Sequence, residues 1–251
     1  QPMKEDYLLT DELEYTNEPY AIAKITGMKM TEAYNIQYST NFISVMPTNL
    51  YGPNDNYDLE TSHVLPALIR KIHLGKCLEN NDWESIRNDL NKNPINHIDG
   101  NADKQEILDT FQKHGIYISN NSITQSTNNS TTIHLWGSGN PRREFLHSDD
   151  MADACLYLME NTDFSDLVEY TLPPEKKPEV MQSSIYELVT QHHQEIKNTH
   201  INIGTGKDIS IKELAEMIKD IVVFHGQLDW NSDMPDGTYQ KLLDVSKLKG
   251  L

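Results

Sequence analysis

The sequence predicts an α/β fold in which helices alternate with short strands. A helical repeat of apolar residues covers 20–38, and a strand is predicted directly after it, over 40–46. Later in the chain, a strand over 200–203 is followed by a helix over 210–223 and a strand over 226–230. Alternation of this kind is typical of a parallel sheet covered by helices.

Composition places the chain among globular proteins and excludes several classes of partner. With 251 residues, of which 37% are hydrophobic, it can bury a core as one large or two small domains. A formal charge of -17 argues against binding to nucleic acid or to an anionic membrane surface. No apolar run is long enough to span a bilayer. Cys77 and Cys155 suggest no disulfide framework, so we expect a cytoplasmic protein.

A tyrosine and a lysine lie four residues apart at the start of the first predicted helix. Pro19 is well placed to lead into this helix, and the spacing puts Tyr20 and Lys24 on one helix face. A free phenol is a poor acid-base group near neutral pH, but a neighbouring cation favours its ionised form. The pair is therefore a candidate for proton transfer, although an isolated Tyr-x-x-x-Lys is more often a surface pair.

Two further segments follow this helix. The strand over 40–46 ends at Pro47-Thr48-Asn49-Leu50, and the carboxyl ends of parallel strands are where such sheets bind ligands. His63 then precedes an apolar repeat that predicts another helix, with Arg70 and Lys71 two turns further on. A histidine at a helix start is most often a cap or a packing residue.

The stretch over 77–132 mixes one clear helix with polar sequence. Asp103 and Glu106 have capping-box spacing for a helix that ends near His114, and the low-complexity run over 119–132 predicts a flexible surface loop. Four side chains here could be imagined as metal ligands, but their spacing repeats no ligand pattern, and we predict no metal site. These residues are His97, Asp99, Asp103 and His114.

A strand, a tight Gly/Asn/Pro turn and a second strand are predicted from Trp136 to Arg143. Guanidinium groups suit a diphosphate, and tryptophan offers a flat face to a base or a sugar. Asp149 and Asp150 then predict the cap of a helix over 151–159, and the segment over 164–197 predicts a loop with one helix.

Seven blocks, in order along the chain, resemble the extended short-chain dehydrogenase/reductases that act on nucleotide sugars, most closely the GDP-L-fucose synthases. The resemblance covers about three quarters of the chain and lapses over 77–132 and 164–197, which we interpret as insertions. The blocks are Asn-Glu-Pro-Tyr-Ala-Ile-Ala-Lys (17–24), Met-Pro-Thr-Asn-Leu-Tyr-Gly-Pro (46–53), Ser-His-Val-Leu-Pro-Ala-Leu-Ile-Arg (62–70), Trp-Gly-Ser-Gly-Asn-Pro-Arg-Arg-Glu-Phe-Leu-His (136–147), Asp-Asp-Met-Ala (149–152), Asn-Ile-Gly-Thr-Gly (202–206) and Pro-Asp-Gly-Thr (235–238).

The resemblance implies a Rossmann-like parallel sheet with a smaller α/β lobe that binds substrate. Residues 1–60 would be the C-terminal part of the dinucleotide-binding domain, and 61–251 mainly the substrate lobe, with some segments returning to the sheet. No Gly-x-Gly-x-x-Gly turn for a cofactor pyrophosphate occurs. Compared with the family, roughly a hundred N-terminal residues are absent, about one mononucleotide-binding half, so we expect a fragment that alone neither binds NADPH tightly nor turns over.

The activity implied is the NADPH-dependent epimerisation and reduction of GDP-4-keto-6-deoxy-D-mannose to GDP-L-fucose by a homodimer. The catalytic residues would be Tyr20, which protonates the C4 oxygen, Lys24, and His63, the acid-base group for epimerisation. The alternatives are another nucleotide-sugar epimerase or dehydratase of the family, or a catalytically incomplete fragment. The resemblance assigns NADP(H) to Tyr20, Lys24, Pro47, Thr48, Asn49, Leu50 and His63, and the GDP-sugar to Asn49, Arg70 or Lys71, Trp136, Arg143 and Asp236.

Overall fold

The computed structural model describes residues 2–119, 130–172, 186–187 and 195–251, which form two compact units. Within these ranges it confirms the α/β class, with both parallel and antiparallel strand pairs. The assignment of a dinucleotide-binding domain and a substrate lobe stays a prediction. The first unit comprises Gln1–Leu50, Glu144–Asp208 and Lys241–Leu251, and the second comprises Tyr51–Arg143 and Ile209–Gln240.

The elements of the described ranges follow the predicted alternation. The helices are α1 (Glu18–Tyr38), α2 (Val64–Glu79), α3 (Trp83–Lys92), α4 (Lys104–Lys113), α5 (Ser148–Asn161), α6 (Phe164–Thr171), α7 (Ile211–Val222) and α8 (Ser246–Gly250). The strands are β1 (Val45–Pro47), β2 (Asn49–Tyr51), β3 (Ile116–Ser119), β4 (Ser130–Trp136), β5 (Arg142–Arg143), β6 (Phe145–His147), β7 (Ile201–Ile203), β8 (Ile209–Ser210), β9 (Gln227–Asn231) and β10 (Gln240–Lys241).

The first unit contains the parallel pair of β1 and β7, with Val45 opposite Ile201. This pairing agrees with the predicted Rossmann-like sheet. Apolar residues of β7 pack with Leu146 of β6 and Leu158 of α5 in one buried cluster. A second cluster joins α6 to Ile36 of α1. The helix predicted over 20–38 is confirmed as α1, which has a proline in its first turn and ends at Ser39 in the left-handed conformation.

The strand predicted over 40–46 is wrong over 40–44, because only Val45–Pro47 forms β1. The cause is Asn35, which is fully buried on α1. Its Oδ1 accepts a hydrogen bond from the Phe42 backbone N–H at 2.9 Å, and its Nδ2 donates to the Phe42 carbonyl at 2.8 Å. Since a side chain occupies both backbone groups of Phe42, that residue has none left for a strand ladder.

The second unit is built around a mixed sheet. β4 lies between β3, with which it is antiparallel, and β9, with which it is parallel. The stretch that the sequence treated as an insertion packs into the core of this unit, because Leu90, Ile107 and Phe111 are all fully buried. A smaller three-stranded sheet contains β10, β5 and β8, in that order.

Local capping signals predicted helix starts well. The capping boxes of α4 (Asp103 with Glu106) and α7 (Ser210 with Glu213) are both confirmed. The cap predicted for α5 is wrong, because the helix begins at Ser148 and His147 is its N-cap, accepting a hydrogen bond from the Asp149 N–H at 3.2 Å. The two aspartates instead lie in the first turn, where they complement the helix dipole.

Two predicted loops lie partly outside the described residues. The loop predicted over 119–132 is wrong at both ends, since Ser119 belongs to β3 and 130–132 belong to β4, and 120–129 lie outside the described residues. In the segment over 164–197 the predicted helix is confirmed as α6, and 173–185 and 188–194 are not described.

Burial of His200 makes the first unit sensitive to acid. The His200 side chain is 3% exposed, and burial, together with the cations of Lys247 and Lys29, lowers its pKa to about 4 despite Glu32 and Asp6. Below pH 6.5 the unfolded chain binds a proton at this histidine, while the folded chain stays neutral there until about pH 4. The free energy of unfolding should therefore fall as pH drops through this window, by at most about 3 kcal/mol.

Denaturant unfolding between pH 7 and pH 4 checks this expectation. His200→Gln should show a weaker dependence of the unfolding free energy on pH than the wild type. His225→Gln, at an exposed histidine of the second unit, should keep the wild-type dependence. An identical pH dependence in the wild type and His200→Gln would contradict the role of His200.

Candidate active site

The tyrosine and lysine of the predicted proton-transfer pair are both exposed near the start of α1. Tyr20 is 65% exposed, and the Lys24 Nζ lies 5.4 Å from the centroid of its ring. The helix places the two side chains one turn apart, as their spacing predicted. At this distance the ammonium group faces the phenol ring as a cation–π pair. The phenol oxygen forms no hydrogen bond with a described residue, so it can meet a ligand.

The polar segment at the end of β1 is held by two backbone carbonyls, those of Ile203 and Glu144. The Thr48 N–H donates to the Ile203 carbonyl at 3.0 Å, which continues the pairing of β1 with β7. The Thr48 Oγ1 and the Asn49 Nδ2 both donate to the carbonyl of Glu144, at 3.1 and 2.8 Å. Pro47 and Leu50 are exposed. The predicted cofactor segment therefore has a defined conformation and presents accessible groups.

Sequence analysis assigned no role to Glu144. It is a fully buried carboxylate whose side chain bonds the Gly-Thr-Gly segment over 204–206. In the sequence it is a single acidic residue between the short strands β5 and β6, with Phe145 directly after it. Such a residue is expected to be exposed unless a partner is known, and the partners lie about sixty residues away in the chain, which is why the sequence did not reveal it.

His63 is the N-cap of α2 and is exposed. Its backbone carbonyl accepts a hydrogen bond from the Ala67 N–H at 3.1 Å, as the geometry of a helix start requires. The imidazole makes no capping hydrogen bond. Of the two ordinary roles of a histidine at a helix start, capping by the side chain is excluded and packing does not fit an exposed residue; the acid-base role stays a proposal.

The two basic residues of α2 have different environments. Arg70 is 2% exposed; its Nε and Nη2 both donate to one Asp89 carboxylate oxygen, at 2.9 and 2.8 Å. Its Nη1 donates to the Tyr57 carbonyl at 3.0 Å, and its Nη2 also donates to the Asn93 carbonyl. The four hydrogen bonds occupy the guanidinium within the second unit, which favours a structural role for Arg70 over substrate binding.

Lys71 is the better substrate-binding candidate of the two. Its ammonium group forms no hydrogen bond or ion pair with a residue that the structure describes, and burial lowers its pKa. A desolvated cation of this kind gains most from an anionic ligand, because the ligand supplies the missing counter-charge. The choice that the sequence left open between Arg70 and Lys71 thus falls on Lys71 as a proposal.

Trp136 and Asp236 lie close to the turn that follows β4 in the second unit. Trp136 ends β4 and is 75% exposed. The Asp236 carboxylate accepts hydrogen bonds from the Ser138 Oγ at 2.6 Å and the Ser138 N–H at 2.9 Å, and these two bonds, in that order, lower its pKa. Asp236 is therefore a carboxylate at neutral pH, and it fixes the turn that follows Trp136.

Arg143, the last residue of β5, bonds to the loop that contains Asp236. Its Nη1 donates to the Thr238 carbonyl at 2.7 Å and to the Arg142 carbonyl at 2.7 Å. The remaining guanidinium N–H groups form no hydrogen bond with the residues that are described. A half-buried cation that is anchored by two carbonyl groups and keeps further N–H donors can bind a phosphate or diphosphate group.

The predicted site residues thus fall into local groups within each unit. In the first unit these are the Tyr20–Lys24 pair and the Thr48–Asn49 segment on Glu144. In the second, the loop that contains Asp236 bonds both to Arg143 and to the turn after Trp136, and His63 and Lys71 lie at the N-cap and in the body of α2. Over the described ranges, no cluster of three or more histidine, cysteine, aspartate or glutamate side chains could hold a metal ion. No described helix has the length and apolar character needed to cross a membrane.

The chain is similar over its whole length to curated proteins named GDP-L-fucose synthase. GDP-L-fucose synthase 1 of Arabidopsis thaliana is 37% identical over 251 residues, which is 100% of this chain and 52% of that protein. GDP-L-fucose synthase of Escherichia coli (strain K12) is 36% identical over 251 residues, 100% of this chain and 55% of that protein. The chain spans about half the length of the curated relatives it matches.

A solved structure shares the fold. The GDP-mannoheptose C4 reductase MlghC from Campylobacter jejuni, with NADP bound, is 39% identical and superposes with a TM-score of 0.71, covering 100% of this chain and 59% of that one. The model of the NAD dependent epimerase/dehydratase family matches residues 1–90 and 110–169, more than half of the chain. The chain therefore belongs to the NAD dependent epimerase/dehydratase family.

Proposed function

We propose that the protein converts GDP-4-keto-6-deoxy-D-mannose into GDP-L-fucose with NADPH. The observation that carries this proposal is the exposed Tyr20–Lys24 pair, in a chain that aligns over its whole length with proteins named GDP-L-fucose synthase. The resemblance to that group at the strand end of β1 and at His63 supports the same assignment.

The chemistry of the described residues fits the nicotinamide half of NADP(H). Lys24 offers an exposed ammonium group for ribose hydroxyls, and the β1 end offers an ordered, accessible backbone at Pro47 and Leu50. NADPH supplies the hydride when it is bound. The sequence contains no glycine-rich turn for the pyrophosphate, so these residues would hold only part of the cofactor.

Tyr20 would donate the proton to the C4 oxygen as the ketone is reduced. Its phenol is exposed and lies on the same helix face as Lys24, whose positive charge stabilises the phenolate that is left behind. Proton donation of this kind requires a phenol that is not already committed to an internal acceptor.

His63 would exchange protons at the carbons that flank the ketone. A ketone at C4 acidifies the C3–H and C5–H bonds, and inversion at either carbon requires a base and an acid on opposite faces of the sugar ring. The exposed imidazole of His63 can serve as one of them. The GDP part would be bound by Lys71, Trp136 and Arg143. Asp236 would hold the turn that follows Trp136 or accept a hydrogen bond from the ligand.

A second candidate is the reduction of a different GDP-sugar ketone without epimerisation. The observation that favours it is the 39% identity to MlghC, a GDP-mannoheptose C4 reductase, which is slightly above the identity to the two curated relatives. The candidates differ in whether C3 and C5 exchange protons with solvent.

Turnover in D₂O separates the two candidates. With the full-length protein, NADPH and GDP-4-keto-6-deoxymannose, we expect deuterium at C3 and C5 of the product, because each inversion takes a proton from solvent. His63→Gln should lower the rate of deuterium incorporation by about 10²- to 10⁴-fold, the usual contribution of an acid-base group. Product NMR measures both positions.

His225→Gln, which changes an exposed histidine of the same unit, is the matched control and should incorporate deuterium as the wild type does. Reduction without any deuterium at C3 or C5 in the wild type would favour the second candidate. Normal incorporation by His63→Gln would remove His63 from the mechanism.

The cytoplasmic location and the homodimer expected from the sequence belong to the same proposal. The resemblance also implies that the helix carrying Tyr20, which is α1, packs in the dimer contact. Tyr34 and Tyr38 on this helix are exposed and pack against each other with ring centroids 5.3 Å apart.

A further inference from the structure

Glu144 is a fully buried carboxylate that bonds to two distant segments of the first unit. Its Oε1 accepts hydrogen bonds from the Gly206 N–H at 2.6 Å and the Thr205 Oγ1 at 3.3 Å. Its Oε2 accepts from the Leu243 N–H at 3.0 Å. The side chain therefore joins the turn after β7 to the segment that precedes α8.

The charge of Glu144 is balanced without a cation. No lysine, arginine or histidine of the described ranges forms an ion pair with it, and its three hydrogen bonds come from two backbone N–H groups and one hydroxyl. Burying a charge is costly unless such donors are already in place. The three donors reach the carboxylate only when the three segments are arranged as in this structure. Burial of the charge therefore favours that arrangement over others.

Gly204 leaves the space that this carboxylate occupies, because it has no side chain. A Cβ atom on Gly204 would lie 2.4 Å from the Glu144 Oε1, well inside contact distance. The first glycine of Gly-Thr-Gly over 204–206 is thus required by Glu144, because its backbone adopts no left-handed conformation that would itself favour glycine.

The backbone of the same residue holds the predicted cofactor and substrate segment. The carbonyl of Glu144 is the acceptor for both the Thr48 Oγ1 and the Asn49 Nδ2. A shift of the Glu144 backbone would therefore displace the shared acceptor of both hydrogen bonds. The side chain of Glu144 is what prevents such a shift, since it ties that peptide to two other segments.

We propose that Glu144 is a positioning residue, whose buried side chain fixes the carbonyl that orients Thr48 and Asn49. The catalytic consequence rests on the proposed function, because Asn49 acts on the cofactor or the substrate only there. The positioning itself is a property of the first unit and can be tested without turnover.

Amide hydrogen exchange and NMR test the positioning in the full-length protein. In Glu144→Gln a side-chain NH₂ group replaces one of the two carboxylate oxygens. This NH₂ group faces a backbone N–H donor and cannot accept its hydrogen bond. The Gly206 or the Leu243 N–H should then exchange about 10- to 100-fold faster, the factor that corresponds to one lost charge-assisted hydrogen bond. The Asn49 side-chain NH₂ resonances should shift as well.

Glu160→Gln makes the same chemical change at an exposed position of α5 and should alter neither signal. If Glu144→Gln does not fold, Gly204→Ala provides a second perturbation, since its methyl group displaces the Glu144 carboxylate from the other side. It should shift the same Asn49 resonances. Unchanged Asn49 resonances in a folded Glu144→Gln or Gly204→Ala variant would overturn the proposal.

Kinetics test the catalytic consequence. Glu144→Gln should lower kcat by about 10- to 100-fold, because a small displacement of a positioned group is costly in the transition state. Combined with Asn49→Ala it should add little further loss, since both changes act through Asn49. Full additivity would assign Glu144 a purely structural role. Absence of wild-type turnover would refute the proposed function, while the exchange and NMR results would still decide the positioning.

Discussion

Replacing Tyr20 with phenylalanine is expected to lower kcat for ketone reduction by about 10²- to 10⁴-fold, the range usual for loss of an acid-base group. The substitution removes only the hydroxyl group that would protonate the C4 oxygen. The ring remains, so its contact with Lys24 on α1 is kept. Binding of NADPH should therefore change little. Stopped-flow or steady-state absorbance of NADPH, together with a fluorescence titration of NADPH binding, measures both quantities.

Tyr157→Phe is the matched control, because it makes the same change at an exposed tyrosine of α5 in the same unit. It should turn over at the wild-type rate. Wild-type kcat in Tyr20→Phe would mean that another group donates the proton. The Tyr20–Lys24 pair would then be the surface pair that such spacing more often represents.

Arg70→Met is expected to destabilise the second unit by about 3–5 kcal/mol, the cost typical of removing one partner from a buried ion pair. The substitution keeps much of the volume of the side chain but leaves Asp89 without its counter-charge. It also removes the donors to the Tyr57 and Asn93 carbonyls. Chemical denaturation, followed by tryptophan fluorescence, measures the loss.

Lys71→Met is the comparison for Arg70→Met on the same helix. Lys71 has no described counter-charge, so its loss should change the free energy of unfolding by less than about 1 kcal/mol. Its effect should appear in KM for the GDP-sugar instead. A normal stability of Arg70→Met, combined with a raised KM, would return Arg70 to the substrate-binding residues.

The parts of the fold that local sequence determines were predictable. The helix starts at Asp103 and Ser210 follow from side chains within three residues of each other, which form the capping boxes that the structure contains. The length of β1 was not predictable in this way. It depends on Asn35 approaching Phe42 from an adjacent helix, and a strand-forming composition carries no information about that approach.

The candidate site shows the same division. The spacing of Tyr20 and Lys24 predicted their proximity, because a helix converts a separation of four residues into one turn. Sequence could not distinguish Arg70 from Lys71, since the distinction lies in Asp89 and two carbonyl groups supplied by other segments. Glu144 was missed for a related reason, because its partners in 204–206 and at Leu243 meet it only in the folded unit.

The most direct test of the proposed function is the reaction of the full-length protein with GDP-4-keto-6-deoxy-D-mannose and NADPH, with the product sugar identified by NMR. The proposal predicts GDP-L-fucose, with one NADPH oxidised for each molecule formed. A product reduced at C4 with the original configuration at C3 and C5, or no consumption of NADPH at all, would contradict it.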